Sequence, residues 1–157
     1  MSLRRTGATL MKFNIVNEIK LSYSRKGNSE KWVGSSGDAV EIFRQHFDHD
    51  EMDYRESFFA LYLNQSHNVL GIKKISESGI SSTVVDVRII MQAALLCNAS
   101  AIILAHNHPS GNLKPSPEDL KITQRIKNAS EFLNLRLLDH FILTSTGHLS
   151  FADEGHL

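Results

Sequence analysis

Cysteine is nearly missing from this chain: Cys97 is the only one in 157 residues, which excludes intramolecular disulfides and any multi-cysteine zinc or iron–sulfur centre. That usage fits a reducing compartment, and the run Ala94-Leu95-Leu96 before Cys97 places the thiol in a core. Net charge is missing too, since 17 basic residues balance 17 acidic ones. No overall positive field draws the protein onto nucleic acid or an anionic membrane, so strong non-specific binding to either is not expected. No apolar run approaches the roughly 20 residues of a transmembrane helix, and the amino end lacks the apolar stretch of a secretion signal. The expectation is a cytoplasmic protein with no membrane partner. Internal repeats, low-complexity tracts and linkers are also lacking.

What is present is enough for one core. A chain of this length that is 41% hydrophobic supports a single compact domain and not two. Residues 1–11 read as an appended extension or disordered arm, leaving 12–157 as the domain. Lys12 to Tyr23 alternates Phe13, Ile15, Ile19 and Leu21 with polar neighbours and reads as a strand. Asp38 reads as the cap of a helix bearing Ala39, Ile42, Phe43 and Phe47, ended by the acidic run from Asp48 to Asp53. Phe58–Leu63 and Val69–Ile75 flank Asn64-Gln65-Ser66-His67-Asn68 as an antiparallel hairpin. Gly79–Thr83 is a small-residue connection, and Asp86 opens a helix carrying Ile89, Ile90, Ala93, Ala94 and Leu96. Ala101–Ala105 is apolar on both faces, as in a central strand. A helix begun at Ser116 carries Ile122, Ile126, Ala129 and Leu133, with Asn134 in a left-handed cap position and a strand from Leu135 to Leu143. Strands interleaved with covering helices predict an α/β (α+β) sandwich, a mixed sheet flanked by helices.

Chemistry is concentrated at the carboxyl end of the central strand. His106 and His108 are two apart, so in extended chain their Cβ atoms lie on one side and both imidazoles converge on one ion. Ser116-Pro117-Glu118-Asp119 is a helix start, with serine as N-cap, proline at the first position and carboxylates in the first turn. That turn brings Asp119 toward the histidine pair. Three N/O ligands leave a fourth tetrahedral position open, the arrangement of a catalytic zinc and not of a closed structural one. A hydrolytic site also needs a proton shuttle. Glu56, at the head of Phe58–Leu63, is the candidate; Glu51, Asp53 and Glu77 compete with it.

Glu56 followed by H-x-H-P at His106–Pro109 and S-x-x-D at Ser116–Asp119 resembles the JAMM (MPN-plus) metalloprotease signature. Ala105–Gly111, Leu138-Asp139-His140 and Ser150-Phe151-Ala152 resemble the RadC-like group within that superfamily. The likeness spans about 38–155. It implies a fold related to the cytidine deaminases, Zn2+ held by His106, His108 and Asp119, Glu56 as general acid/base, and the Ser116 hydroxyl as an oxyanion donor. It implies a peptide or protein substrate, with an indirect DNA-repair association as the alternative. Longer RadC-like proteins carry a helix-hairpin-helix region, for which the stretch before Asp38 is too short. His140 lies in a strand and reads as a packed, hydrogen-bonded histidine beside the ligands.

Other chemistries fit less well. A deaminase needs P-C-x-x-C, which one cysteine cannot supply. The string His106-Asn107-His108 matches the HNH nuclease label only by accident, since that family's histidines lie far apart. Phosphodiester cleavage calls for a basic groove, and Lys73-Lys74 and Lys121 with Arg125 and Lys127 read as solvated faces. A non-enzymatic module with structural metal has no use for an open coordination position.

Overall fold

The computed structural model describes residues 17–26, 31–78 and 84–157. In chain order the elements are α1 (Ser36–Arg44), β1 (Ser57–Leu63), β2 (Val69–Glu77), α2 (Val87–Leu96), β3 (Ala101–Asn107), α3 (Pro117–Phe132), β4 (Arg136–Leu143) and β5 (His148–Ser150). The strands form one mixed sheet in the order β2-β1-β3-β4-β5. β1 runs antiparallel to both β2 and β3, β3 runs parallel to β4, and β5 returns antiparallel to β4. This is the expected α+β fold with a mixed sheet.

Period-2 alternation divides the sheet into two faces. Phe59, Leu61, Leu63, Ile103, Ala105, Phe141 and Leu143 point to α1, where Ala39, Val40, Ile42 and Phe43 cover them. Phe58, Ala60, Tyr62, Ile102 and Leu104 point the other way, against Ile90, Met91 and Ala94 of α2 and Ile126 of α3. β1 and β3 are buried along their whole length, as their unbroken apolar runs require. Cys97 is a buried thiol at the end of α2.

Three readings change. The N-cap of α1 is Ser35; Asp38 sits one turn inside and closes a capping box with it. A carboxylate three residues into the helix reaches back to the cap amide, so its sequence signal is shifted inward from the true start. The predicted first strand fails where it can be followed: residues 17–23 carry no strand pairing, and residues 12–16 lie outside the described residues. Strand-like alternation alone does not make a strand without a neighbour to pair with. The 1–11 arm and the Gly79–Thr83 connection also lie outside the described residues. β5 is additional to the predicted elements. Asn134 has φ 57°, as expected of a left-handed residue closing α3. Among the described residues no helix is long and apolar enough to cross a membrane.

β4 contains the irregularity that shapes the site. Ile102 pairs with Leu137 but Ile103 pairs with Asp139, so Leu138 is an extra residue. Such a bulge shifts the inside–outside phase by one. Leu137 faces α3, Leu138 and Asp139 both face the α1 side, and His140 returns to the α3 side. The Asp139 carboxylate accepts from the His140 amide at 2.7 Å, the Ser150 hydroxyl at 2.6 Å and the Ala152 amide at 3.0 Å. It thereby ties the bulge to β5 and the turn that follows.

Candidate metal centre

His106 is the penultimate residue of β3 and is 1% exposed, stacked on Phe58 at 5.9 Å between ring centroids. Beyond the strand, the His108 amide donates to the Leu143 carbonyl at 2.9 Å, which carries the sheet pairing one residue further. The chain then turns through Gly111, whose φ of 77° is one that glycine adopts without steric cost. Ser116 caps α3, and its hydroxyl accepts from the Asp119 amide at 3.1 Å while an Asp119 carboxylate oxygen accepts from the Ser116 amide at 2.7 Å. The capping box thus orients the carboxylate. Its two oxygens lie 3.2 Å from His106 Nε2 and 3.3 Å from His108 Nε2, and the two Nε2 atoms are 3.0 Å apart.

Hydrogen-bond donors and acceptors around the histidines decide what those atoms carry. The Thr123 hydroxyl donates its one proton to the Asp119 carbonyl at 2.6 Å. It must therefore accept from His140 Nδ1, also at 2.6 Å, which leaves His140 Nε2 as an acceptor for His106 Nδ1–H at 2.8 Å. His106 Nε2 is then a lone pair. His108 Nδ1 faces the Asn112 carbonyl at 2.6 Å and so carries its proton there, making Nε2 a lone pair in the neutral ring as well. Two nitrogen lone pairs and a carboxylate converge with no donor between them. Ligand atoms about 2.0–2.2 Å from a tetrahedral ion lie about 3.3–3.6 Å apart, close to the spacing here. These residues fit a divalent cation; their ligand atoms all lie within 4.8 Å of one another.

The electrostatics agree. Burial drives His140 well below its ordinary pKa, with His106 adding to the effect, so the relay ring is neutral. Burial pushes the Asp119 carboxyl up, but its neighbours His106 and His108 and the Ser116 amide outweigh burial and hold Asp119 well below the carboxylate range. The Asp119 carboxylate, against opposing burial, pushes His108 up, with help from the Asn112 carbonyl and the Glu56 charge.

A cavity of about 510 Å³ opens beside the group, lined by Glu56, Phe58, His108, Ser116 and Asp119 among others. Glu56 lies two residues before Phe58 and lines the same cavity wall as Phe58 and His108. The competitors are engaged elsewhere: Glu51 with Tyr54 and Arg55, Glu77 with Lys74 and Arg55, while Asp53 is exposed. None of the three lines the cavity. Two residues not singled out from sequence contribute here, Thr123 through His140 and Asn107 through the segment that carries Glu56. Neither has a local signature, because each acts on backbone or rings distant in sequence.

The RadC-like JAB domain profile matches residues 33–156. The chain belongs to the RadC-like JAB domain family. Over 158 aligned residues it is 39% identical to a UPF0758 protein of Flavobacterium johnsoniae, covering 93% of this chain and 68% of that one. It is 48% identical over 104 residues to a UPF0758 protein of Porphyromonas gingivalis, covering 66% of this chain and 46% of that one. A UPF0758 protein of Xylella fastidiosa is 41% identical over 102 residues, with 65% of this chain and 46% of that one covered. The chain spans just under half the length of these last two relatives. Family membership supports a JAMM-related, metal-dependent module, and the His106–His108–Asp119 group is where this RadC-like domain can hold its metal.

Proposed function

We propose that this RadC-like domain is a zinc-dependent hydrolase of the JAMM metallopeptidase type, cleaving an amide or isopeptide bond of a peptide or protein. The observation that carries the reading is the meeting of two histidine lone pairs and the Asp119 carboxylate at the wall of a cavity that Glu56 and Ser116 also line. Zinc bound there supplies Lewis acidity to a water and to the substrate carbonyl. The Glu56 carboxylate takes a proton from the attacking water and returns it to the departing amine nitrogen. Ser116 Oγ accepts from the Asp119 amide, so its own hydrogen is left to donate to the developing carbonyl oxygen. Phe58, Val85 and Ile122 form an apolar wall, and Glu118 and Arg125 place opposite charges on the same cavity. That mixture suits a peptide chain better than a phosphodiester backbone, for which Glu56, Glu118 and Asp119 present charge of the wrong sign.

The test uses zinc-loaded protein on quenched peptide and isopeptide substrates, before and after chelation. Chelation is expected to abolish hydrolysis while the fold survives; unfolding on chelation instead supports a structural metal in a DNA-associated module. Glu56→Gln is expected to keep zinc and lose about 10²–10⁴-fold in turnover. Parental turnover in that variant removes Glu56 as the shuttle.

A further inference from the structure

Asn107 sits between the two histidines, but strand alternation turns it to the opposite side of β3, where it is 1% exposed. A buried amide there must satisfy both ends of its side chain, and it does so entirely on one neighbouring segment. Its Oδ1 accepts from the Ser57 amide at 2.8 Å. Its Nδ2 donates to the Met52 carbonyl and the Arg55 carbonyl, both at 2.8 Å. All three partners are backbone groups of 52–57, the stretch that delivers Glu56. Ladder pairing between β1 and β3 ends at Phe58 and His106, so past that point the Asn107 side chain replaces the sheet in joining the two segments. On the other edge β2 holds the same segment: the Ser78 amide donates to the Glu56 carbonyl at 2.8 Å, Ser57 pairs with Glu77, and the Arg55 guanidinium meets the Glu77 carboxylate at 3.5 Å.

We infer that Asn107 is a positioning residue, which sets where the Glu56 carboxylate stands relative to the His106–His108–Asp119 group; the inference rests on the hydrolase reading above. The ligand histidines and the proton shuttle come from different segments, and the spacing between them has to be kept within a fraction of an ångström for proton transfer. A misplacement of about 1 Å costs on the order of 10²-fold in rate. Placing the clamp on the residue between the ligands makes one short tripeptide fix both the metal group and the shuttle. Asparagine suits this because one planar group offers an acceptor to an N–H and two donors to two carbonyls. Aspartate has the same shape but presents an oxygen to carbonyls that need a donor.

The experiment compares zinc-loaded wild type with Asn107→Ala, the isosteric Asn107→Asp, and each combined with Glu56→Gln. Both single variants are expected to lose about 10²-fold in kcat with KM and zinc affinity changed less than about threefold. Deuterium uptake across 52–57 should rise in both, with 101–105 unchanged. The double variants should be no slower than Glu56→Gln alone, because the clamp acts through that carboxylate. Kcat losses that multiply in the double variants, or parental kcat despite faster exchange in 52–57, overturn the positioning role. If Asn107→Ala fails to fold, Asn107→Asp decides on the same readouts. A wild type that hydrolyses nothing with zinc bound overturns the hydrolase reading instead, and this inference with it, whereas an active wild type with normal Asn107 variants overturns this inference alone.

Discussion

The two faces of the central sheet are built from the same strands and differ in one respect. On the α1 side the body of the packing is apolar, with Phe43 against Phe141 at 6.4 Å and Phe47 against Phe59 at 4.6 Å between centroids, and its buried polar side chains, Asn107 and Asp139, bond to neighbouring backbone and to Ser150. On the α2–α3 side it starts apolar at Ile102 and Leu104 and becomes polar at His106, His140 and Thr123. Buried polar groups of this kind are tolerated only when every donor and acceptor is matched. Here the matching runs from Asp119 through Thr123 and His140 to His106 and leaves one open end, the Nε2 that points at the cation position. One face holds the domain together, and the other spends part of its packing on a ligand group.

The largest expected contrast comes from opening the polar face at its end. His106→Ala should abolish stoichiometric zinc uptake and reduce hydrolysis to background, while urea unfolding of the metal-free protein still shows a cooperative transition; elemental analysis and denaturation check both. The converse change, Phe43→Ala, removes a fully buried ring of the apolar face. It should lower unfolding stability by about 3–5 kcal/mol and leave the zinc affinity of the folded protein unchanged, which separates core from site. Unequal zinc affinity there would mean that the faces are coupled.

A smaller effect is expected from Thr123→Val, which keeps shape and deletes the hydroxyl that receives the His140 proton. With His140 free to change tautomer, His106 is no longer held with its lone pair outward, and zinc affinity should fall about 10–100-fold. Competition with a chromophoric chelator measures it. The smallest change concerns Asp38, at the α1 edge of the apolar face. The Ser35 hydroxyl and the Gly34 amide hold its carboxyl below the ordinary 3.8. A depressed folded-state pKa means that stability is present above that ordinary value and is lost as pH falls below it. Asp38→Asn should therefore lower stability slightly at neutral pH and flatten the acid limb, so that the difference from wild type closes as pH falls.

Much of this was legible because it is local. The apolar run Ala101–Ala105, the histidine pair after it, and Ser116 capping a helix that carries Asp119 are decided within a few residues of each other, and the structure assembles them as their spacing implies. Asn134 ends α3 for an equally local reason. What escaped is set by partners far along the chain. The bulge at Leu138 is visible only in the pairing of β4 with β3, yet it aims His140 at His106. Asn107 looks like a spacer until Met52, Arg55 and Ser57 are brought to it. Ser35 and Asp38 share one capping box, so sequence alone does not separate cap from partner, and residues 17–23 alternate like a strand without a strand pairing.

The central claim is that His106, His108 and Asp119 grip one cation, and anomalous-difference maps from zinc-supplied crystals, collected on either side of the zinc edge, test it most directly. The account predicts a single peak about 2.0–2.2 Å from both Nε2 atoms and an Asp119 oxygen. No peak at that point, or zinc held only by other side chains, contradicts it.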